Sequence, residues 1–209
     1  MPTHINAFTL SLVQGHAEPS SAFLAVFDGG RTFVDTTFYA IVDLAGRPDD
    51  AGAAKVQSVL QKSIGGASKV SLTGAMERAV IDAHREAWKR GPEAQNSAVL
   101  CVALRANELY VSCRGRMTVM TLKNGGIHRP EFAMGVDEAW MERVDLVPGE
   151  TLVLGNTTLA ESISKEAEVP ILDAEPDEAA RRVYYLAKDY PQVSALFFRA
   201  RHVWDPAEQ

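Results

Sequence analysis

The run Phe38-Tyr39-Ala40-Ile41-Val42-Asp43 sets the pattern for the rest of the chain. Its first five residues are apolar or aromatic strand formers, so the sequence predicts a strand over residues 38–42 that ends at Asp43. A loop rich in Gly, Pro and Asp follows. From residue 51 apolar residues recur at intervals of three and four, which predicts a helix. A buried strand with one carboxylate at its end therefore leads into a helical segment.

The remaining segments are grouped as runs of strands and pairs of helices. Strands are predicted over residues 7–13, 22–27, 99–104, 109–113, 118–122, 151–154 and 193–199, and helices over 51–64, 71–90, 159–167 and 176–188. This grouping is typical of α+β architecture, and we predict an antiparallel β-sandwich flanked by helical hairpins. Because no repeat or linker-like change in composition interrupts it, we treat residues 1–209 as a single domain.

The composition excludes several classes of protein. The 209 residues are 46% hydrophobic and 23% charged, as in an ordinary globular domain. The net charge of −6 leaves no basic field for nucleic acid or an anionic membrane, so neither is expected as a partner. Cys101 and Cys113 fall in apolar runs, which indicates reduced thiols. With no export signal and no apolar run of about 20 residues, we predict a cytoplasmic protein.

Several segments match a known family in the correct order. They are Phe38–Val42 with Asp43 and Gly46, Asn96-Ser97-Ala98-Val99, Leu109–Gly115, Ala133-Met134-Gly135 and Val147–Leu154. This ordered set resembles the metal-dependent protein phosphatases of the PPM, or type 2C, family, over about residues 8 to 199. The segment between Leu122 and Met134 is short. In this it is more similar to the bacterial branch of the family that resembles stage II sporulation protein E.

The resemblance implies a definite chemistry. Active members of the family hold two Mg²⁺ or Mn²⁺ ions between the central sheets, and a bridging water attacks a phosphoserine or phosphothreonine. Hard divalent cations need several oxygen ligands, mostly carboxylates. Two-metal hydrolysis needs both ions, to activate water and to neutralise the phosphate charge. A working site of this kind therefore needs about four carboxylates.

This chain keeps one of those carboxylates. The resemblance places the bridging aspartate on Asp43, the predicted metal ligand, and the phosphate-binding arginine on His16, the predicted substrate-binding residue. The other acidic positions fall on Ser21, Arg116, Thr157 and the pair Pro191-Gln192. Two divalent ions around a single carboxylate would be badly under-neutralised, so we expect no metal cofactor.

Two functions stay open at this point. The first is a pseudophosphatase, a catalytically impaired phosphatase-like domain that acts as a binding or regulatory module, in which Arg116 pairs with Asp43 in place of metal. The second is an active, divergent serine/threonine phosphatase with Mg²⁺ or Mn²⁺ held by Asp43 and Asp189. A third interpretation is that the resemblance is misleading and the domain has another α+β fold, in which Asp43 merely ends a strand.

The expected partner is a protein: a phosphoprotein, a kinase or a regulator. Trp140 lies in a polar context and is a candidate surface anchor, because Trp and Met are enriched at interfaces. The alternative interpretation of Trp140 is a lid over the nearby core. The same two interpretations apply to Trp204 in the C-terminal tail.

Overall fold

Eleven strands and five helices lie in the part of the chain that the structure, a computed structural model, describes: residues 3–46, 48–67, 70–90, 96–123, 125–130 and 138–202. In chain order they are β1 (Thr3–Val13), β2 (His16–Ala17), β3 (Leu24–Asp28), β4 (Thr36–Asp43), α1 (Asp50–Gly65), α2 (Leu72–Trp88), β5 (Ala98–Arg105), β6 (Glu108–Arg114), β7 (Thr118–Lys123), β8 (Gly126–His128), β9 (Trp140–Val144), β10 (Thr151–Gly155), α3 (Thr157–Ser162), α4 (Lys165–Leu172), α5 (Pro176–Ala187) and β11 (Gln192–His202).

The strands form two antiparallel sheets that pack face to face. Sheet A has the order β2-β1-β11-β10-β7-β8, and sheet B has the order β3-β4-β5-β6-β9. Apolar side chains of both sheets fill the space between them, and Tyr39 of sheet B meets Phe198 of sheet A edge to face, with ring centroids 5.1 Å apart. The predicted antiparallel sandwich is confirmed.

Helices cover the outer face of each sheet. α1 and α2 pack on sheet B, and α3, α4 and α5 pack on sheet A. The first two helices begin where their caps dictate, since the side chains of Asp49 and Ser71 accept hydrogen bonds from Gly52 and Gly74 at 3.1 and 3.2 Å. The prediction that helical hairpins flank the sandwich is confirmed.

Two local predictions are wrong. No strand was predicted over residues 140–144, yet Trp140–Val144 forms the edge strand β9, in which Glu142 and Arg143 interrupt the apolar pattern. The helix predicted over residues 159–167 is two helices, α3 and α4, and α3 begins at Thr157, directly after Asn156. The segments around Met134 and Trp204 lie outside the described residues.

The buried aromatic and sulfur side chains belong to the core. Trp140 is partly buried and packs against the apolar cluster between the sheets. Cys101 and Cys113 are free and buried; burial raises the pKa of both thiols, that of Cys113 to about 12. Both are therefore protonated at neutral pH. Among the described residues, no helix is both long and apolar enough to cross a bilayer.

The first and last strands of the domain are neighbours in sheet A. β1 and β11 pair in antiparallel register over eleven residue pairs, from Thr3 opposite His202 to Val13 opposite Gln192. β10 lies on the other side of β11. This pairing brings the start of β11 beside the end of β10, where the chain enters α3.

Candidate functional site

The candidate site lies where β4 of sheet B ends opposite the start of α3 on sheet A. Asp43 is the last residue of β4, and Thr157 is the first residue of α3. One carboxylate oxygen of Asp43, Oδ2, accepts two hydrogen bonds from Thr157: from its backbone N–H at 3.1 Å and from its hydroxyl at 2.8 Å. A single carboxylate therefore links the two sheets through neutral donors.

A buried polar network lies beside this contact. The Asn156 side-chain amide donates to the Gln192 side-chain oxygen at 2.7 Å and to its backbone carbonyl at 3.2 Å, and Asn156 Oδ1 accepts from Ser194 N–H at 3.2 Å. Gln192 in turn donates to the Ser194 hydroxyl at 2.7 Å, and the Thr118 hydroxyl donates to the Asn156 carbonyl at 3.0 Å. These groups are uncharged, and they meet their hydrogen-bonding needs by bonding to one another.

In the part of the chain that the structure describes, no cation is among the groups that shift the pKa of Asp43. Burial raises the pKa of the Asp43 carboxyl, the two hydrogen bonds from Thr157 lower it, and the nearby carboxylate of Glu161 raises it further. Because burial is the largest of these effects, the pKa lies above its ordinary value. Glu161 is thus the second acidic group close enough to act on Asp43.

The predicted ion pair between Arg116 and Asp43 is wrong. Arg116 is exposed, and the ion pairs formed among the described residues do not include one between these two side chains. The reason is local: Thr157 already satisfies Asp43 Oδ2, so a buried guanidinium would lose its hydration for little gain.

The other predicted site residues are spread around this end of the molecule. His16 is exposed on β2, at the edge of sheet A, and Asp189 is exposed in the turn after α5. The hydroxyl of Ser21 accepts a hydrogen bond from Phe23 N–H at 3.0 Å, a short-range turn contact. In the residues that the structure describes, the hydrogen bonds of the Asp43 carboxylate come from Thr157 and not from any of these three.

Residues behind Asp43 fix the loop that follows it. Ala45 N–H donates to the Ser97 hydroxyl at 3.1 Å, and the Nε2–H of buried His84 donates to the Ser97 carbonyl at 3.0 Å. Burial lowers the pKa of His84, with a smaller opposing effect from this hydrogen bond. Gly115 packs directly against the Ser97 backbone. Its φ is 85°, and a Cβ there would lie 2.5 Å from the Ser97 carbonyl oxygen, so a larger residue would not fit.

Sequence reasoning placed Asp43 but missed its partners. Thr157 was identified as a position where an acid is absent, without the expectation that its hydroxyl would bind Asp43. The Asn156–Gln192 pair and Glu161 were also missed. A usable signal did exist, because a neutral residue with a hydroxyl at the second acidic position can donate to the remaining carboxylate.

Comparison with known proteins identifies the architecture. A scan against protein-family models and a search of curated proteins found no match. A serine/threonine phosphatase of S. agalactiae is similar in structure, with a TM-score of 0.71 and 11% identity over 94% of this chain and 99% of that chain. PppA of Pseudomonas aeruginosa, described as a key regulatory component, has a TM-score of 0.62 and 15% identity over 96% and 98%.

A phosphatase domain from a sporulation protein is also similar in structure. The phosphatase domain of the cell fate determinant SpoIIE from Bacillus subtilis has a TM-score of 0.59 and 10% identity, and the match covers 98% of this chain and 96% of that domain. At these identities the similarity concerns the fold, which spans nearly the whole chain in each case. The third interpretation of the sequence, another α+β fold, is thereby excluded. The chain has the fold of the PPM, or type 2C, protein phosphatases, including the SpoIIE-like branch.

Proposed function

We propose that this chain is a pseudophosphatase, a type 2C phosphatase fold that has lost metal-dependent hydrolysis and acts as a binding or regulatory module. The observation that carries the proposal is the direct contact between Asp43 and Thr157. In the pattern that the sequence resembles, both positions are acidic and face metal. Here one carboxylate accepts hydrogen bonds from a threonine in the place of the second.

The donor set supports this proposal. Mg²⁺ and Mn²⁺ require oxygen ligands with enough negative charge, and a pair of such ions brings four positive charges. Among the described residues there is no group of three or more His, Cys, Asp or Glu side chains that could hold a metal. The side-chain amides of Asn156 and Gln192 are hydrogen-bonded to each other. These residues do not fit a dinuclear centre, and we derive no hydrolytic step through one.

The direct test is a phosphatase assay with Mn²⁺ or Mg²⁺, on p-nitrophenyl phosphate and on a phosphothreonine peptide. We expect turnover at the level of buffer with metal alone, and the same level for Asp43→Asn. Metal-dependent turnover by the wild type that Asp43→Asn abolishes would overturn the proposal. Circular dichroism of both proteins shows that any difference is not a loss of folding.

An active one-metal phosphatase is the second candidate, and the carboxylate of Glu161 favours it. The carboxylate of Glu161 raises the pKa of Asp43 by repulsion, and a cation between the two groups would relieve that repulsion. The predicted partner in that site was Asp189, but Glu161 is the acid that acts on Asp43. Calorimetric titration with Mn²⁺ distinguishes the candidates. Micromolar binding lost in both Asp43→Asn and Glu161→Gln would favour the enzyme, and Asp189→Asn is the matched control.

For the partner we propose a protein in the cytoplasm: a phosphoprotein, a kinase or a regulator. The net charge of −6 argues against a polyanion. His16, exposed at the edge of sheet A, is the residue that we propose to contact a phosphate group. A phosphopeptide titration that is unchanged by His16→Ala would remove His16 from this role.

A further inference from the structure

His84 is a buried titratable residue of α2 that the proposed function does not use. It is 3% exposed, and its Nε2–H donates to the Ser97 carbonyl at 3.0 Å. The other ring nitrogen, Nδ1, is buried and has no hydrogen-bond partner in the part of the chain that the structure describes. A second proton would turn Nδ1 into a donor without an acceptor. The surroundings of His84 therefore accommodate the neutral imidazole and not the imidazolium.

A positive charge lies close to this ring. The centroids of the His84 and Trp88 rings are 5.3 Å apart, and the guanidinium of Arg114 lies over the Trp88 ring, 5.9 Å from its centroid. Burial lowers the pKa of His84, and the charge of Arg114 lowers it further, against a smaller opposing effect of the Ser97 hydrogen bond. Burial and a neighbouring cation therefore both resist protonation of His84.

The other ionisable groups around α2 do not reverse this balance. Those on the faces turned toward α2, taken in chain order from α1 to β9, are Lys55, Cys101, Tyr110, Arg114 and Arg143. Lys55 is bound to Glu86, and Cys101 is a protonated thiol. Within the described residues, Arg114 is the charged side chain that shifts the pKa of His84. No carboxylate in this set offsets a positive charge on the ring.

Two hydrogen bonds in series connect His84 to the loop after Asp43. The Ser97 carbonyl accepts from His84, and the Ser97 hydroxyl accepts from Ala45 N–H at 3.1 Å. Ser97 is 1% exposed, so its carbonyl has no access to water in this position. Because a buried carbonyl without a donor is unfavourable, residues 96–97 have to move when the imidazole leaves. This movement takes the acceptor away from Ala45.

We infer that His84 is an acid-sensitive latch on the loop that runs from Asp43 to Ala45. The neutral imidazole holds Ser97 in place, and Ser97 holds Ala45. A protonated ring leaves the cluster for water, past Trp88, which is 45% exposed at the end of α2. Ser97 then releases Ala45, and the end of β4 is free to move. The latch acts beside the site of the proposed function but does not depend on that function.

Acid favours the open state of this latch. In the closed state the pKa of His84 is lowered, whereas in the open state the ring is in water and has its ordinary pKa of about 6.5. The open state therefore binds the proton more tightly than the closed state. Opening should increase about tenfold for each pH unit below about 6.5, until the closed state also binds the proton.

The test is amide hydrogen exchange of Ala45, measured by NMR at several pH values and expressed as protection relative to an unstructured peptide. We expect the protection of Ala45 in the wild type to fall about tenfold per pH unit below about pH 6.5. His84→Gln keeps a donor in the place of Nε2 but cannot titrate, so its Ala45 protection should not depend on pH. The amide of Val102, in the core strand β5, reports global unfolding and should stay protected throughout.

Three matched variants identify the titrating group. His128→Gln changes an exposed histidine on β8, in the other sheet, and should keep the wild-type profile. Asp43→Asn removes the carboxylate two residues before Ala45 and should keep it as well. Ser97→Ala removes the hydroxyl that accepts from Ala45, so the Ala45 amide should exchange rapidly over the whole pH range.

A measurement on the wild type keeps the test valid if His84→Gln fails to fold. At about pH 6.5 a histidine in water is half protonated. The ring ¹⁵N signals of His84 should instead show the neutral tautomer with its proton on Nε2, the nitrogen that donates to Ser97. A doubly protonated His84 in the folded chain at this pH would show that the cluster accepts the imidazolium, which contradicts the latch.

The exchange data can overturn the inference in three further ways. Ala45 protection is independent of pH in the wild type, or it falls equally in His84→Gln, or its fall disappears in Asp43→Asn. A fall that Val102 shares has the same meaning, because it reports unfolding of the whole domain. These readouts use neither metal nor phosphatase activity, so each of these results leaves the proposed function untouched.

Discussion

The space between the two sheets has two ends with opposite character. At one end Val102, Leu109, Leu152 and Phe198 are fully buried and make an apolar core shared by both sheets. At the other end the sheets meet through hydrogen bonds, of which those between Asp43 and Thr157 are the most direct. The first end is defined by shape and volume, and the second by the pairing of individual polar groups.

The difference shows which part of the fold depends on which residues. The similar structures share 10–15% identity with this chain, yet the matches span almost the whole chain. An apolar core tolerates many substitutions provided that volume and patterning are kept. A polar site has no such tolerance, since each donor needs its own acceptor. The fold can therefore persist while the chemistry at the polar end changes.

The largest expected effect is at the apolar end. Phe198→Ala removes a fully buried ring that packs on Tyr39 and should lower the free energy of unfolding by about 3–5 kcal/mol. Urea denaturation measures the loss. The control is Val147→Ala, because Val147 is 58% exposed and its truncation should cost at most about 0.5 kcal/mol. Equal losses in the two variants would contradict a core at this end.

A smaller effect is expected at the polar end. Thr157→Val keeps the shape and the backbone hydrogen bond to Asp43 but removes the hydroxyl donor, which should cost about 1–2 kcal/mol. The next residue gives a matched control, since Thr158→Val removes a hydroxyl that makes no hydrogen bond to Asp43. If both variants lose the same stability, the link between the sheets does not depend on Asp43.

The smallest effect at neutral pH is expected for Asp43→Asn. The amide oxygen can still accept both hydrogen bonds, so the change in stability near pH 7 should be within about 1 kcal/mol. The pH dependence is the sharper readout. Because the native state raises the pKa of Asp43, it binds the proton more tightly than the unfolded state, and this contribution is lost as pH rises through the native pKa.

The sign of this dependence can be checked directly. From about pH 4 to about pH 7, the stability of the wild type should fall relative to that of Asp43→Asn. Urea denaturation at several pH values measures the difference. A relative rise over this range would mean that the pKa of Asp43 is lowered instead, as a neighbouring cation such as Arg116 would require.

Much of the fold could be predicted because its elements carry local signals. The run from Phe38 to Val42 is apolar on both faces, and α1 and α2 have regular apolar spacing and clear ends. β9 has no such signal, since Glu142 and Arg143 lie on an edge strand. The N-cap residue of α3, Asn156, makes no capping hydrogen bond with its side chain and instead bonds Gln192, 36 residues away, which local periodicity cannot report.

The site was less predictable than the fold. The resemblance placed Asp43 at the end of its strand, but charge alone favoured Arg116 as its partner. Only the folded chain shows that Arg116 is exposed and that Thr157 meets the carboxylate from the other sheet. The Thr157 hydroxyl at the second acidic position was a usable signal, but the pairing of Asn156 with Gln192 has no electrostatic signal in the sequence and is seen only in the folded chain.

The pairing of β1 with β11 has a consequence for synthesis. Sheet B, from β3 to β9, is complete once residue 144 has emerged, whereas β1 cannot join sheet A until residues 192–202 are available. The N-terminal strand therefore stays exposed while the rest of the polypeptide is translated, and its uncharged edge is a risk for aggregation on the ribosome. Ribosome-bound chains that stop before β11 should need protection by chaperones, and the released chain should not.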